Sequence, residues 1–159
     1  MQLTQKETSL IKDLKDQEKL CVDKYRRYAN AAHDPQLKTL FSQIADTEQG
    51  HYDTLSSIES GNTPTMSGSA SPVGKGQSFS ATYGMADTQE KRDDCYLCSD
   101  LLATEKHAAG LYNTCVFEFA QPPLRQILNH IQTEVMAFTD LPRWGIVPHS
   151  MQRFPRRTE

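Results

Sequence analysis

Apolar and carboxylate-bearing positions recur along this chain in alternating steps of three and four. Ile11, Leu14, Glu18, Cys21, Tyr25, Tyr28 and Ala32 form the first such stripe, and that spacing puts them on one face of a helix. Thr4 with Glu7 three residues later supplies a capping box at its start, and Asp34-Pro35 supplies an N-cap and first-turn proline for the next helix. The second stripe is Leu37, Phe41, Ile44, Glu48, His51, Leu55 and Ile58, stopped by Gly61-Asn62. Asp87-Thr88-Gln89-Glu90 reads as a second capping box, after which Cys98, Leu101, Glu105, Ala108, Tyr112, Cys115 and Phe119 make a third stripe. Gln121-Pro122-Pro123 breaks the chain before Leu124, Leu128, Ile131, Val135 and Phe138 make the fourth.

The pattern therefore predicts an all-α four-helix bundle within 1–142, with helices over about 4–32, 35–60, 88–120 and 123–140. The loop over 61–87 is rich in Gly, Ser, Thr and Pro. Extended at roughly 3.3 Å per residue it spans the length of a bundle, so it reads as a crossover connection. Residues 143–159 read as a Pro/Arg-rich C-terminal tail, with Trp144 packing its start over a bundle end or against a partner.

The two helix pairs repeat. An offset of 87 positions maps Glu18-Lys19 onto Glu105-Lys106, Tyr25 onto Tyr112, Pro35 onto Pro122, Leu37 onto Leu124 and Ile44 onto Ile131 without a gap. In an antiparallel pair, residues equidistant from the turn lie at one height. With turns near residues 33 and 120, Glu18, Glu48, Glu105 and Val135 share a layer.

Composition narrows the setting. The formal net charge of −3 on 159 residues, with basic and acidic side chains alternating along helix faces, leaves no footprint for nucleic acid. No apolar run approaches the ~20 residues that span a bilayer, so no membrane partner is expected. The opening residues lack the apolar core of a signal peptide, so the chain is expected to be made in the cytoplasm. Cys21, Cys95, Cys98 and Cys115 read as thiols rather than a disulfide framework. Cys21 and Cys115 fall on core stripes, and Cys95-x-x-Cys98 lacks the second pair that would mark a zinc site.

The shared layer carries the candidate chemistry. Glu48 and His51, three apart on one helix face, can grip one ion while Glu18 approaches from the facing helix and Glu105 from across the core. Two helices each giving a Glu and two each giving Glu-x-x-His is the ligand logic of dinuclear carboxylate bundles. Here Val135 and Phe138 replace the fourth contribution, and Glu134 is turned by about 100° from the stripe. Glu18, Glu48, His51 and Glu105 are thus a candidate half-site for one Fe, Mn or Zn ion, or a relic whose carboxylates bond to one another and to water. No residue is assigned a catalytic role. Tyr25 and Tyr112 lie two turns from the layer, too far to ligate, and read as core tyrosines with phenols bonded across the bundle.

The strings QEKLCVDKYRRYA, DPQLKTLFSQIADTEQGHYDTL, LLATEKHAAGLYNTCVFEF and LRQILNHIQTE together resemble the coat F family of spore coat proteins from endospore-forming bacteria, a ferritin-like group. The resemblance spans about residues 9–60 and 95–140, leaving the loop and tail outside. It implies a ferritin-like bundle, a structural role in the spore coat, and other coat proteins as partners. Family members commonly carry Glu and His where this chain has Val135 and Phe138, so the resemblance implies a degenerate di-iron site here. Two functions follow: a structural coat component, compatible with a homodimer, or a ferritin-like metal-binding protein with a mononuclear or impaired dinuclear site and oxidase or storage activity.

Overall fold

A computed structural model describes residues 2–65 and 86–138. Among them are four α-helices and no strand: α1 (Gln5–Ala31), α2 (Pro35–Glu59), α3 (Gln89–Val116) and α4 (Pro122–Phe138). Most of the expected loop, Trp144 and the tail lie outside the described residues.

The helix ends are set by local chemistry. Thr4 Oγ1 accepts from Glu7 N at 3.2 Å while Glu7 Oε2 accepts from Thr4 N at 2.8 Å, closing the capping box of α1. Asp34 Oδ1 accepts from Gln36 N and Leu37 N at 2.8 and 3.1 Å, ahead of Pro35 at the first helical position. At the end of α2, Gly61 takes φ 87°, Gly61 N bonds Ile58 O at 2.9 Å and Asn62 N bonds Ser57 O at 3.1 Å. Those two bonds make a Schellman motif, which needs the left-handed conformation that glycine adopts without penalty.

The start of α3 departs from the expected capping box. Thr88, not Asp87, is the N-cap, and it accepts from Lys91 N at 3.3 Å. A lysine three residues on cannot return a carboxylate to the cap, and Asp87 instead pairs with Arg92 at 3.0 and 2.6 Å. α3 also stops at Val116, short of the expected 120. The backbone of the turn is satisfied from outside the helix: Arg125 donates to the carbonyls of Phe119 and Ala120 at 3.0 and 3.2 Å, and Glu7 accepts from Ala120 N at 3.1 Å.

Side-chain bridges define the packing. Lys15 meets Glu59 and Arg26 meets Gln49, so α1 and α2 run antiparallel. Lys6 with Glu118, Tyr112 with Glu18, Tyr25 with Glu105 and Tyr28 with Asp100 set α1 antiparallel to α3. Gln132 on α4 donates to Ala109 O on α3 at 3.3 Å. The core is divided along its length into two apolar clusters. One gathers Ile11, Leu14, Leu55, Ile58, Tyr112, Leu128 and Ile131 among others, and the other gathers Cys21, Tyr25, Leu37, Phe41, Ile44, Leu101 and Phe138. Glu18, Glu48 and Glu105 occupy the level between them.

Two further acids are buried for a structural reason. Asp94, at 0% exposure, accepts from His33 N at 2.8 Å and Asp34 N at 2.9 Å, holding the α1–α2 turn against α3. Glu7 holds the α3–α4 turn in the same way through Ala120 N. Glu7 and Asp94 stand 87 positions apart, as do His33 and Ala120.

Candidate functional site

The stripe positions of α1, α2 and α3 bring Glu18, Glu48 and Glu105 into the core at 0% exposure, with His51 at 4%. A buried carboxylate is costly unless it is hydrogen-bonded, paired or protonated, and each of these three meets that cost differently. Glu18 Oε1 accepts from Tyr112 Oη on α3. Glu105 Oε1 accepts from Tyr25 Oη on α1 at 2.6 Å. These two bonds are partners under the 87-residue offset: each tyrosine reaches across to the carboxylate of the opposite half. The phenols are thereby pushed well above their ordinary range, by burial first and then by the carboxylates they serve.

His51 is held at both nitrogens. Nδ1 lies 3.1 Å from Glu48 Oε2 and 3.7 Å from Glu18 Oε2, and Nε2 lies 2.8 Å from Glu134 Oε2 on α4. Burial alone would lower the imidazole, but Glu134, Glu18 and Glu48 together raise it well above 6.5, so the ring is an imidazolium with both N–H groups donating. The same contact draws Glu134 below the usual carboxylate range against the cost of its partial burial.

Glu18 and Glu48 divide their protons. Burial works against ionising Glu18, but Glu48, His51 and Tyr112 hold it below its ordinary value. Burial and then the Glu18 charge push Glu48 well above 4.5. As two carboxylates, Glu18 Oε2 and Glu48 Oε1 have no hydrogen-bond partner. A proton kept on Glu48 turns it into a donor toward Glu18, the usual solution for adjacent acids. Burial likewise pushes Glu105 up to about 8, partly opposed by the Tyr25 hydroxyl.

The layer thus brings Glu18, Glu48 and His51 into mutual contact, while Glu105 is bonded to Tyr25 and feels the group through the charges of Glu18 and His51. It also holds two residues outside the expected set. Glu134, although off the stripe, reaches His51, because a glutamate at the edge of a helix face is long enough to lean toward the core. Cys21 has its ligand atom in a group with Glu18 and Glu48, the three atoms within 4.8 Å of one another. Glu7 and Asp94 extend the stripes of α1 and α3 by one step of four, ahead of Ile11 and Cys98, so the spacing that defines those stripes marks both acids as core-facing. On the opposite side Val135 is at 0% and Phe138 at 2% exposure. The Phe138 ring lies edge-on to Tyr25 at 6.5 Å.

The ligand atoms of Glu18, Cys21 and Glu48, within 4.8 Å of one another, form a group of the kind that could hold a metal ion. Apart from what carboxyl protons supply, Glu18 Oε2, Glu48 Oε1 and Glu105 Oε2 are buried oxygens without a hydrogen-bond partner, and an oxygen left so costs on the order of 1–3 kcal/mol. His51 offers Nδ1 on the carboxylate side while Glu134 secures Nε2, the outer partner that ligating histidines ordinarily have. Burial pushes the Cys21 and Cys98 thiols upward, away from the thiolate form.

Four packed helices around a buried carboxylate–imidazole layer define the class: an all-helical protein with an acidic core site. Residues 93–139, covering most of α3 and all of α4, match the family model of the Coat F domain, so that part of the chain is similar to spore coat proteins of this type. No curated protein and no solved structure matches the chain. No helix among the described residues is long and apolar enough to cross a membrane.

Proposed function

We propose that this protein is a structural component of the bacterial spore coat, built on a ferritin-like four-helix bundle of two repeated helix pairs. The observation that carries the reading is the Coat F domain match over α3 and α4. The α1–α2 half aligns with that region at a constant offset, and the paired Tyr–Glu bonds and the paired turn anchors recur at the same offset, which supports extending the family's fold to the whole bundle. Assembly with other coat proteins uses exposed faces, and Tyr96 on α3 and Phe117 at its C-cap are 69% and 80% exposed. The test is localisation in a sporulating host: a tagged chain recovered in the extracted coat fraction of mature spores supports the role, and a chain confined to the mother cell or spore core sinks it.

A second reading rests on the ligand atoms of Glu18, Cys21 and Glu48 within 4.8 Å of one another, with His51 Nδ1 3.1 Å from Glu48 and 3.7 Å from Glu18: the bundle retains a mononuclear metal site. Glu18, Glu48 and His51 would hold the ion, with Glu105 facing it from across the core. A bound dication would supply neutralising charge to the layer and so stabilise the fold. Oxidase chemistry in such bundles uses two ions sharing carboxylates, and Val135 and Phe138 offer no ligand, so storage or structure suits this site better than turnover. Elemental analysis of protein purified without an affinity metal checks it: about one equivalent, lost in Glu48→Ala and His51→Ala, is expected, and no metal after anaerobic loading would refute it.

A further inference from the structure

We infer that Cys21 is a metal ligand, making the site a closed Glu-x-x-Cys/Glu-x-x-His centre selective for a thiophilic dication such as zinc. The inference rests on the mononuclear reading above and adds its fourth ligand and metal class.

Three observations carry it. First, the Cys21 ligand atom and one carboxylate oxygen each of Glu18 and Glu48 lie within 4.8 Å of one another. Second, apart from the proton that Glu48 holds toward Glu18 in the metal-free protein, Glu18 Oε2 and Glu48 Oε1 are fully buried with no hydrogen-bond partner, while His51 Nδ1 sits 3.1 Å from Glu48 and 3.7 Å from Glu18. Third, the ligand types are unequally shared between the halves. Glu18 and Cys21 are three apart on α1, as Glu48 and His51 are on α2, so two adjacent helices present one sulfur, one nitrogen and two carboxylates. The offset-equivalent positions are Glu105, Ala108, Val135 and Phe138. The first half thus carries four candidate donors, while the second keeps only the Glu105 carboxylate beside three apolar side chains.

Ligand chemistry then selects the metal. Iron and manganese oxidation sites use carboxylate and imidazole donors, whereas a thiolate shifts preference toward zinc. Four protein ligands with no solvent-exposed member describe a closed structural site rather than an open catalytic one. In the metal-free protein, burial and the neighbouring carboxylates keep Cys21 as a thiol, weakly bonded by Gln17 Nε2 at 3.5 Å. A dication reverses the sign of the local field, and a coordinating thiol is then deprotonated.

The test uses the full-length chain, stripped with chelator and loaded anaerobically with cobalt(II) as a spectroscopic stand-in, or with zinc. Cobalt is expected to give ligand-field bands together with a near-ultraviolet thiolate charge-transfer band. Cys21→Ser is expected to lose the charge-transfer band and keep the ligand-field bands, and Cys98→Ser to keep both. Independently of any variant, X-ray absorption of the zinc-loaded wild type is expected to show one sulfur at about 2.3 Å. Cobalt bound through Glu48, as shown by loss in Glu48→Gln, but with no charge-transfer band and only nitrogen and oxygen scatterers, overturns Cys21 as ligand and leaves the mononuclear reading intact. Two sulfur scatterers, or a charge-transfer band surviving Cys21→Ser, assigns the metal to Cys95-Cys98 and also overturns it. No bound metal overturns both.

Discussion

Replacing Glu105 by Gln isolates the cost of a single buried carboxyl, because the amide keeps an acceptor for the Tyr25 hydroxyl, bonded at 2.6 Å, and removes only the titration. In the folded protein burial pushes Glu105 up to about 8, against an ordinary value of 4.5. Between those values the folded state holds a proton that the unfolded chain has released, so stability falls as pH rises through that window. At about 1.4 kcal/mol per pH unit the full displacement corresponds to roughly 5 kcal/mol, and relaxation of a real core reduces it to on the order of 3 kcal/mol. For a chain of this size that is roughly 10 °C in Tm. The assay is thermal melting with chelator present, wild type against Glu105→Gln, at intervals from about pH 5 to 8.5. Glu48 and His51 titrate in both proteins, so the difference between the two curves reports Glu105. The variant should gain on the wild type progressively with pH, with most of the gain complete near pH 8. Parallel curves, or a variant that loses ground as pH rises, would show that Glu105 is ionised at little cost and would refute the reasoning.

Four other outcomes follow from the same structure. Asp94→Ala leaves the backbone N–H groups of His33 and Asp34 without their acceptor and should cost about 2–4 kcal/mol in urea melts; a loss under about 0.5 kcal/mol would mean that the anchor is dispensable. Gly61→Ala forces a side chain into φ 87° and should cost about 1 kcal/mol, with unchanged stability counting against the Schellman cap. Tyr112→Phe removes the hydroxyl donor of Glu18 and should destabilise by about 1–3 kcal/mol, more at pH 7 than at pH 4 because that bond helps hold Glu18 below its ordinary pKa and its contribution is lost as pH falls from the unfolded toward the folded value; equal losses at both pH values would contradict the assignment of that charge. Val135→Glu with Phe138→His places two polar groups in the dry half of the layer and should destabilise the metal-free protein by more than about 3 kcal/mol, with recovery on adding metal and a second equivalent in elemental analysis; no recovery would mean that the second half no longer has the geometry for ligation.

Much of the fold is legible in the sequence because the forces that make it are local and periodic. Stripes of Ile, Leu, Tyr and carboxylates at steps of three and four define four helices, and Thr4, Asp34-Pro35 and Gly61 mark ends that the structure places within a residue or two. The 87-residue offset and the spacing about the two turns put Glu18, Glu48 and Glu105 at one level before any packing is known. The same logic mislaid the cap of α3, where Asp87 and Thr88 are equivalent as acceptors and only Arg92, pairing with Asp87, separates them.

Tertiary structure alone decided what the layer is. Periodicity assigns a residue to a face but not the reach of its side chain, so Glu134 counts as turned away until α4 is docked against α2 and its carboxylate meets His51 Nε2. Cys21 reads as one more small apolar core group until the approach of α2 places it beside Glu48. Protonation is likewise a property of assembly. Glu18, Glu48 and Glu105 are chemically the same residue, and burial with different neighbours makes one carboxyl low, one high and one near neutral pH. The sequence by itself determined which residues face the core and at what height. The packing of four helices determined which of them touch, and therefore which carry charge, which carry a proton and which form a site.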